Sequence, residues 1–109
     1  MDKIEALQHI LEQDPANAFA RYGLAMVHLN QGDPETALAE FARVIESDPD
    51  YVPAFHMSAR ALASYQRPEE AINILLQGIA AAQRTGNTHA AGEMQSLLDA
   101  LAPELTAGN

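Results

Sequence analysis

Apolar and polar residues follow one another in this chain with the period of a helix. In Asp2 to Gln13, Ile4, Leu7, Ile10 and Leu11 form a narrow apolar stripe, and Asp2, Glu5, Gln8, His9 and Glu12 cover the remainder. That pattern predicts a helix buried on one side only. Asp14-Pro15 ends it, because a proline disfavours helical geometry at the residue before it. From about Asn17 to Gln31, Phe19, Tyr22, Leu24, Ala25, Met26, Val27 and Leu29 leave almost no polar side, so this second helix is expected to touch neighbours on several faces. In the turn that follows, Gly32 permits a left-handed cap, Asp33 is a good N-cap and Pro34 suits a first helical position. The third helix is predicted to run to about Ser47. Leu38, Phe41, Val44 and Ile45 recur there at three- and four-residue steps, with Glu35, Glu40, Arg43 and Glu46 on an outer, wet face.

The plan then returns. An inner helix is predicted from near Val52 to about Tyr65, with Pro53 in its first turn and Phe55, Met57, Ala59, Leu62 and Ala63 along it. Gln66-Arg67 is a weaker turn, since neither residue caps as well as Gly-Asp. The helix opening at Pro68 carries Ala71, Ile72, Leu75, Leu76 and Ile79. Lacking an Asp-Pro stop, it is expected to continue to about Arg84, where Gly86 can cap it. A last amphipathic helix spans about Thr88 to Leu101, with Met94, Leu97, Leu98 and Leu101 on its apolar side, and residues 103–109 are expected to form a flexible tail.

Asp14-Pro15 and Asp48-Pro49 lie 34 residues apart, as do Ala20 and Ala54, and the turns Asp33-Pro34-Glu35 and Arg67-Pro68-Glu69. Together with the small Ala37 and Ala71 early in each second helix and the large Phe41 and Leu75 four residues on, this resembles the tetratricopeptide repeat. The likeness covers residues 1–102: a half repeat over 2–15, repeats over 18–51 and 52–85, and a closing helix over 88–101. Arg21 and His28 stand where the family usually has bulky apolar residues, Ser58 replaces a usual Leu, and Gln83 replaces the stop proline. The resemblance implies an all-α fold of about five helices, in which antiparallel hairpins stack as a short right-handed solenoid. First helices of each hairpin would line a concave groove and second helices the convex side.

Charge narrows the partners. The 109-residue chain holds fifteen acids against six Lys and Arg, a formal charge of −9, which repels a polyanionic backbone and argues against nucleic acid. No apolar run approaches the ~20 residues of a membrane span, and Asp2 and Glu5 occupy the place of a signal peptide's basic region, so a soluble, untargeted protein is expected. Absence of cysteine excludes disulfides and thiol chemistry and fits a reducing, cytoplasmic location. His9, His28, His56 and His89 fall on four different helices without short ligand spacing, and no phosphate loop or nucleophile elbow is present. Neither a metal, a cofactor nor catalysis is therefore expected.

All fifteen acids lie outside residues 16–32 and 51–68, stretches that contain Arg21, Arg60, Arg67, His28 and His56. If these stretches line the groove, they favour a segment bearing apolar and acidic side chains; fewer charges on more buried helices is the alternative explanation. By resemblance, groove positions map onto Tyr22, Met26 and Leu29, then His56, Arg60 and Ala63, then Ala90 and Met94. His56 and Arg60 are one helical turn apart and can jointly hold a carboxylate, whereas Met26 and Met94 can equally serve as gap fillers between helices. The family's chaperone-tail binders clamp a carboxylate with Lys, Asn and Arg. Here those places hold Tyr22, Met26, Met57, Asn87 and Ala91, so that activity is not implied. The expected function is a protein-interaction adaptor or scaffold, monomeric or at most a homodimer. The alternative is a structural subunit that stacks through an end helix.

Overall fold

The computed structural model describes residues 2–106. Six α-helices, close to the five or so expected, make up the described residues, with no strand among them: α1 (Lys3–Gln13), α2 (Ala18–Asn30), α3 (Pro34–Ser47), α4 (Val52–Ser64), α5 (Pro68–Arg84) and α6 (Thr88–Thr106).

Local chemistry sets the helix ends. Asp2, Asn17, Asp33 and Asn87 each accept a hydrogen bond from the amide three residues on, at 2.8, 2.9, 3.2 and 3.1 Å, satisfying donors that the first turn cannot pair internally. Helices α1 and α3 stop in the same way: Asp14 and Asp48 leave helical geometry at φ −143° while their amides still reach Ile10 and Val44. Helices α2, α4 and α5 end on a left-handed residue, Gly32 (φ 80°), Gln66 (φ 63°) and Gly86 (φ 75°). The next amide in each case returns to a carbonyl five residues back, Asp33 to His28, Arg67 to Leu62 and Asn87 to Ala82, which closes the helix end. The Gln66-Arg67 turn thus has the geometry of Gly32-Asp33 without its residues. Asp33 uses its carboxylate as a cap; Arg67 caps nothing and instead holds Glu70 through two 2.9 Å hydrogen bonds.

Helix α6 runs past the expected end at Leu101 to Thr106, with Pro103 inside it. The proline withholds one amide donor from the ladder without ending the helix in so late a turn. Residues 103–106 of the expected tail are accordingly helical, and 107–109 lie outside the described residues.

The chain divides into two compact units, residues 1–49 and 50–109. In the first, α1 and α3 both pack on α2. Leu11, Ala20 and Leu24 form a buried cluster with Ile4 and Leu7 against it. Gly23 lets α1 approach closely, since a Cβ there would stand 3.3 Å from Leu7 Cδ2. Phe41 and Val44 of α3 are fully buried, and the Phe41 ring meets Tyr22 at a centroid distance of 5.7 Å, tilted by 57°, an arrangement favoured between aromatic quadrupoles. The second unit packs α4 and α6 on α5, with α4 also touching α6. Phe55, Leu75 and Met94 are buried in it, and Gly78 is where Phe55 and Met94 come closest to α5. A Cβ on Gly78 would lie 2.6 Å from Phe55 Cβ and 2.7 Å from Met94 Sδ.

Four placements differ from the sequence-based expectation. Glu40, expected on a wet face, is buried, because Arg21 of α2 reaches across to it. Phe19, expected to touch neighbouring helices, is 76% exposed in the first turn of α2. Leu76 and Ile10, expected within apolar stripes, are about half in water at 55% and 42%. A stripe wider than the neighbour that covers it leaves its margins exposed.

Candidate interaction surface

One face of α2 carries four apolar residues at steps of three, four and three: Phe19, Tyr22, Met26 and Leu29, a spacing that places them along one side of a helix. Tyr22, Met26 and Leu29 are half-buried, and Phe19 projects into solvent. Phe19 is the residue that sequence reasoning missed. The signal for it was present, because it continues the Tyr22–Met26–Leu29 line by one step toward the N-terminus.

Arg21, the basic residue expected to soften this inner stretch, faces elsewhere. Its guanidinium donates to Glu40 Oε2 at 2.9 Å and to the Pro15 carbonyl at 3.3 Å, and Arg43 approaches the other Glu40 oxygen at 3.5 Å. Arg21 and Glu40 side chains are only 17% and 12% exposed, so this is a largely desolvated ion pair inside the hairpin. Both arginines border an open surface furrow with Gln8, Glu12, Leu24 and His28. The furrow is open and mixed in polarity, unlike the closed apolar pocket that a small-molecule carrier needs. Among the described residues no group of three or more His, Asp or Glu side chains is placed to hold a metal ion.

In the second unit, the repeat equivalents of Tyr22 and Met26 are His56 and Arg60 of α4. His56 is half-buried, Arg60 is exposed, and Ala63 one turn on is half-buried. Burial lowers the His56 pKa from its ordinary value, the charge of Glu93 on α6 pulls it back up, and Arg60 lowers it further. Glu93 in turn meets His89 Nε2 at 3.2 Å. Arg60 is distinctive in this acidic chain. Arg21 and Arg43 pair with Glu40, Arg67 with Glu70 and Arg84 with Asp50, whereas among the described residues Arg60 meets no carboxylate and rests its Nη1 3.8 Å from Met57 Sδ.

Met94 belongs elsewhere. It is fully buried against Gly78 and fills the core of its unit, so it offers no surface. Ala90, a turn earlier on α6, is half-buried. The structure therefore brings together Tyr22, Met26 and Leu29, with Phe19, on α2 of one unit, and His56, Arg60 and Ala63 on α4 of the other.

Paired helices of this length, with left-handed turns and Asp-Pro stops at a 34-residue period, define a helical-hairpin repeat protein. The tetratricopeptide repeat family matches residues 4–58 and 29–94. A TPR repeat-containing protein of Pseudomonas aeruginosa is 32% identical over 95 residues, which is 87% of this chain and 90% of that one. The chain belongs to the tetratricopeptide repeat family, whose members are helical-repeat interaction scaffolds. Among solved structures, the tetratricopeptide repeat domain protein from Salinibacter ruber is 32% identical, with a TM-score of 0.77 over 83% of this chain and 91% of that chain. The TPR2B domain of yeast Sti1, solved in complex with pHsp70, shares the fold at a TM-score of 0.84 and 20% identity, over 93% of this chain and 81% of that chain.

Proposed function

We propose that this protein is an interaction adaptor that binds peptide or protein segments, with an exposed face on α2 of the first unit and another on α4 of the second. The α2 face takes apolar side chains on Phe19, Tyr22, Met26 and Leu29, and the α4 face takes a carboxylate on His56 and Arg60. The observation that carries this reading is Arg60. In a chain with fifteen acids, the other four arginines each meet a carboxylate of the protein, and this exposed one sits on a helix that contains no acid at all. A guanidinium that meets no carboxylate among the described residues, one helical turn from a half-buried imidazole, is a ready partner for an external carboxylate. The α2 face adds an aromatic pair and an adaptable methionine, residue types that commonly anchor interfaces. The yeast Sti1 domain, solved in complex with pHsp70, is an instance of the same fold holding a partner. We place this adaptor in the cytoplasm, as a monomer.

The test begins by capturing partners on the immobilised protein and identifying them by mass spectrometry. The affinity of the captured partner is then compared across variants. Arg60→Glu and Tyr22→Ala should each weaken binding about tenfold. Lys3→Glu changes net charge as much as Arg60→Glu, on an exposed residue at the start of α1 where an acid is tolerated, and should leave affinity unchanged. It is a cleaner control than Arg43, which touches Glu40. Equal losses in Arg60→Glu and Lys3→Glu would mean that only overall charge matters, and the surface assignment fails.

A further inference from the structure

Arg60 does not stand alone on its face of the second unit. His56 precedes it by one turn of α4, and on α6 the Glu93 carboxylate contacts His89 while its charge also reaches His56. Arg60 on α4 and Glu93 on the packed α6 thus set the electrostatics around His56. The third helix of the unit adds little there, because α5 is charged only in its end turns, at Glu69, Glu70 and Arg84. Of these, Glu70 is held by Arg67 and Arg84 by Asp50. Asp99, farther along α6, is engaged by Gln95 at 2.9 Å.

The charge of this face depends on His56. With His56 neutral, Arg60 and Glu93 offset one another and the three groups carry no net charge. With His56 protonated they carry one positive charge. We infer that the α4–α6 face is a proton-dependent carboxylate site, in which His56 takes up a proton as an acidic segment docks beside Arg60. This rests on the reading of α4 as a carboxylate-binding face and adds its regulation. Binding and protonation assist each other by linkage, so a ligand that raises the His56 pKa must bind more tightly as pH falls through it. Histidine is the side chain whose ordinary titration falls in that range. Burial favours neutral His56 in the free protein, and the arriving carboxylate supplies the countercharge that its cation otherwise lacks.

A suitable probe is a blocked octapeptide with two leucines, two aspartates and otherwise serine and glycine, titrated to millimolar concentration. Its aspartates stay ionised between pH 5.5 and 8, well above their ordinary pKa of about 3.9. Affinity should be about fivefold tighter at pH 5.5 than at pH 8, the scale expected of partly screened charge pairs. The His56 ring resonances should titrate at a higher pH with peptide than without. His56→Gln should remove the pH dependence. Arg60→Glu should weaken binding at both pH values. Peptide that binds equally at pH 5.5 and 8, with loss in Arg60→Glu, would overturn the proton linkage and leave the carboxylate site standing. Peptide that binds at neither pH, even at millimolar concentration, would remove both.

Discussion

The two hairpins place unlike chemistry at matching positions. In the first, Arg21 of α2 and Glu40 of α3 close on one another as a desolvated ion pair. One repeat on, the same positions are Phe55 and Ile74, a buried ring and a half-buried aliphatic side chain. Val44, fully buried in α3, corresponds to Gly78 in α5, where the Phe55 ring and Met94 occupy the space that a side chain would fill. The comparison shows what the hairpin backbone requires between its helices. It needs a filled volume with every buried polar atom satisfied, and either chemistry meets that need. Among the described residues no buried side-chain nitrogen or oxygen lacks a partner. The two solutions still differ in how they fail, because an apolar contact loses energy in proportion to what is removed, whereas half of an ion pair leaves an uncompensated charge.

The largest effect is expected at the position both hairpins fill with a large apolar residue. Phe41→Ala should cost roughly 3 to 5 kcal/mol, because the ring is fully buried and also supports Tyr22. Leu75→Ala, its counterpart, should cost about 2 to 5 kcal/mol. Midpoints in urea near that of the unmodified protein would contradict both assignments.

Next comes Gly78→Ala. The added methyl group would stand 2.6 Å from Phe55 Cβ, close to backbone that cannot swing away, and overpacking of this kind costs about 3 kcal/mol. An alanine at Gly92, where a Cβ meets nothing within 4 Å, should instead stabilise by about 0.5 to 1 kcal/mol through helix propensity. Opposite shifts of the thermal midpoint are the expected result, and shifts of the same sign would show that the three-helix junction is looser than described.

The ion pair gives a two-part prediction. Glu40→Ala should cost roughly 2 to 3 kcal/mol, since Arg21 would keep its charge in a largely desolvated place. Installing the other hairpin's chemistry with Arg21→Phe and Glu40→Ile together should be close to neutral, within about 1 kcal/mol, because neither charge is then buried. Chemical denaturation of the three proteins decides it. A double variant as unstable as Glu40→Ala would mean that this hairpin specifically needs the charges.

The smallest effect concerns the turns. Gln66 holds φ 63° where the equivalent residue is Gly32, and Gln66→Gly should stabilise by about 0.5 to 1 kcal/mol by relieving the left-handed strain. Arg67→Asp adds a cap but removes the Arg67–Glu70 pair. That pair lowers the Glu70 pKa through the Arg67 hydrogen bonds, as the Thr36 hydrogen bonds lower that of Asp33. The net effect of Arg67→Asp should therefore stay within about 0.5 kcal/mol, as for most exposed substitutions. A melting temperature lowered by Gln66→Gly would show that the left-handed position does not strain the native turn.

The helices and their ends were legible because their causes are local. A proline restricts the residue before it, an asparagine caps the amide three residues ahead, and an apolar stripe repeats every three or four residues, whatever the rest of the chain does. The repeat period, the family and the acid-free α4 followed from the same short-range signals, and they sufficed to single out His56 and Arg60. What surrounds each helix was not local. A helical pattern gives the angle of a side chain about its own axis, but not which neighbour covers that angle or for how many turns. Contacts between helices decided that Glu40 is buried under Arg21, that Phe19 stands exposed, that Met94 is enclosed and that Arg60 meets no carboxylate among the described residues. The same holds for Gly78: only the close approach of α4 and α6 to α5 leaves no room for a methyl group there, and that distance is a property of three packed helices together.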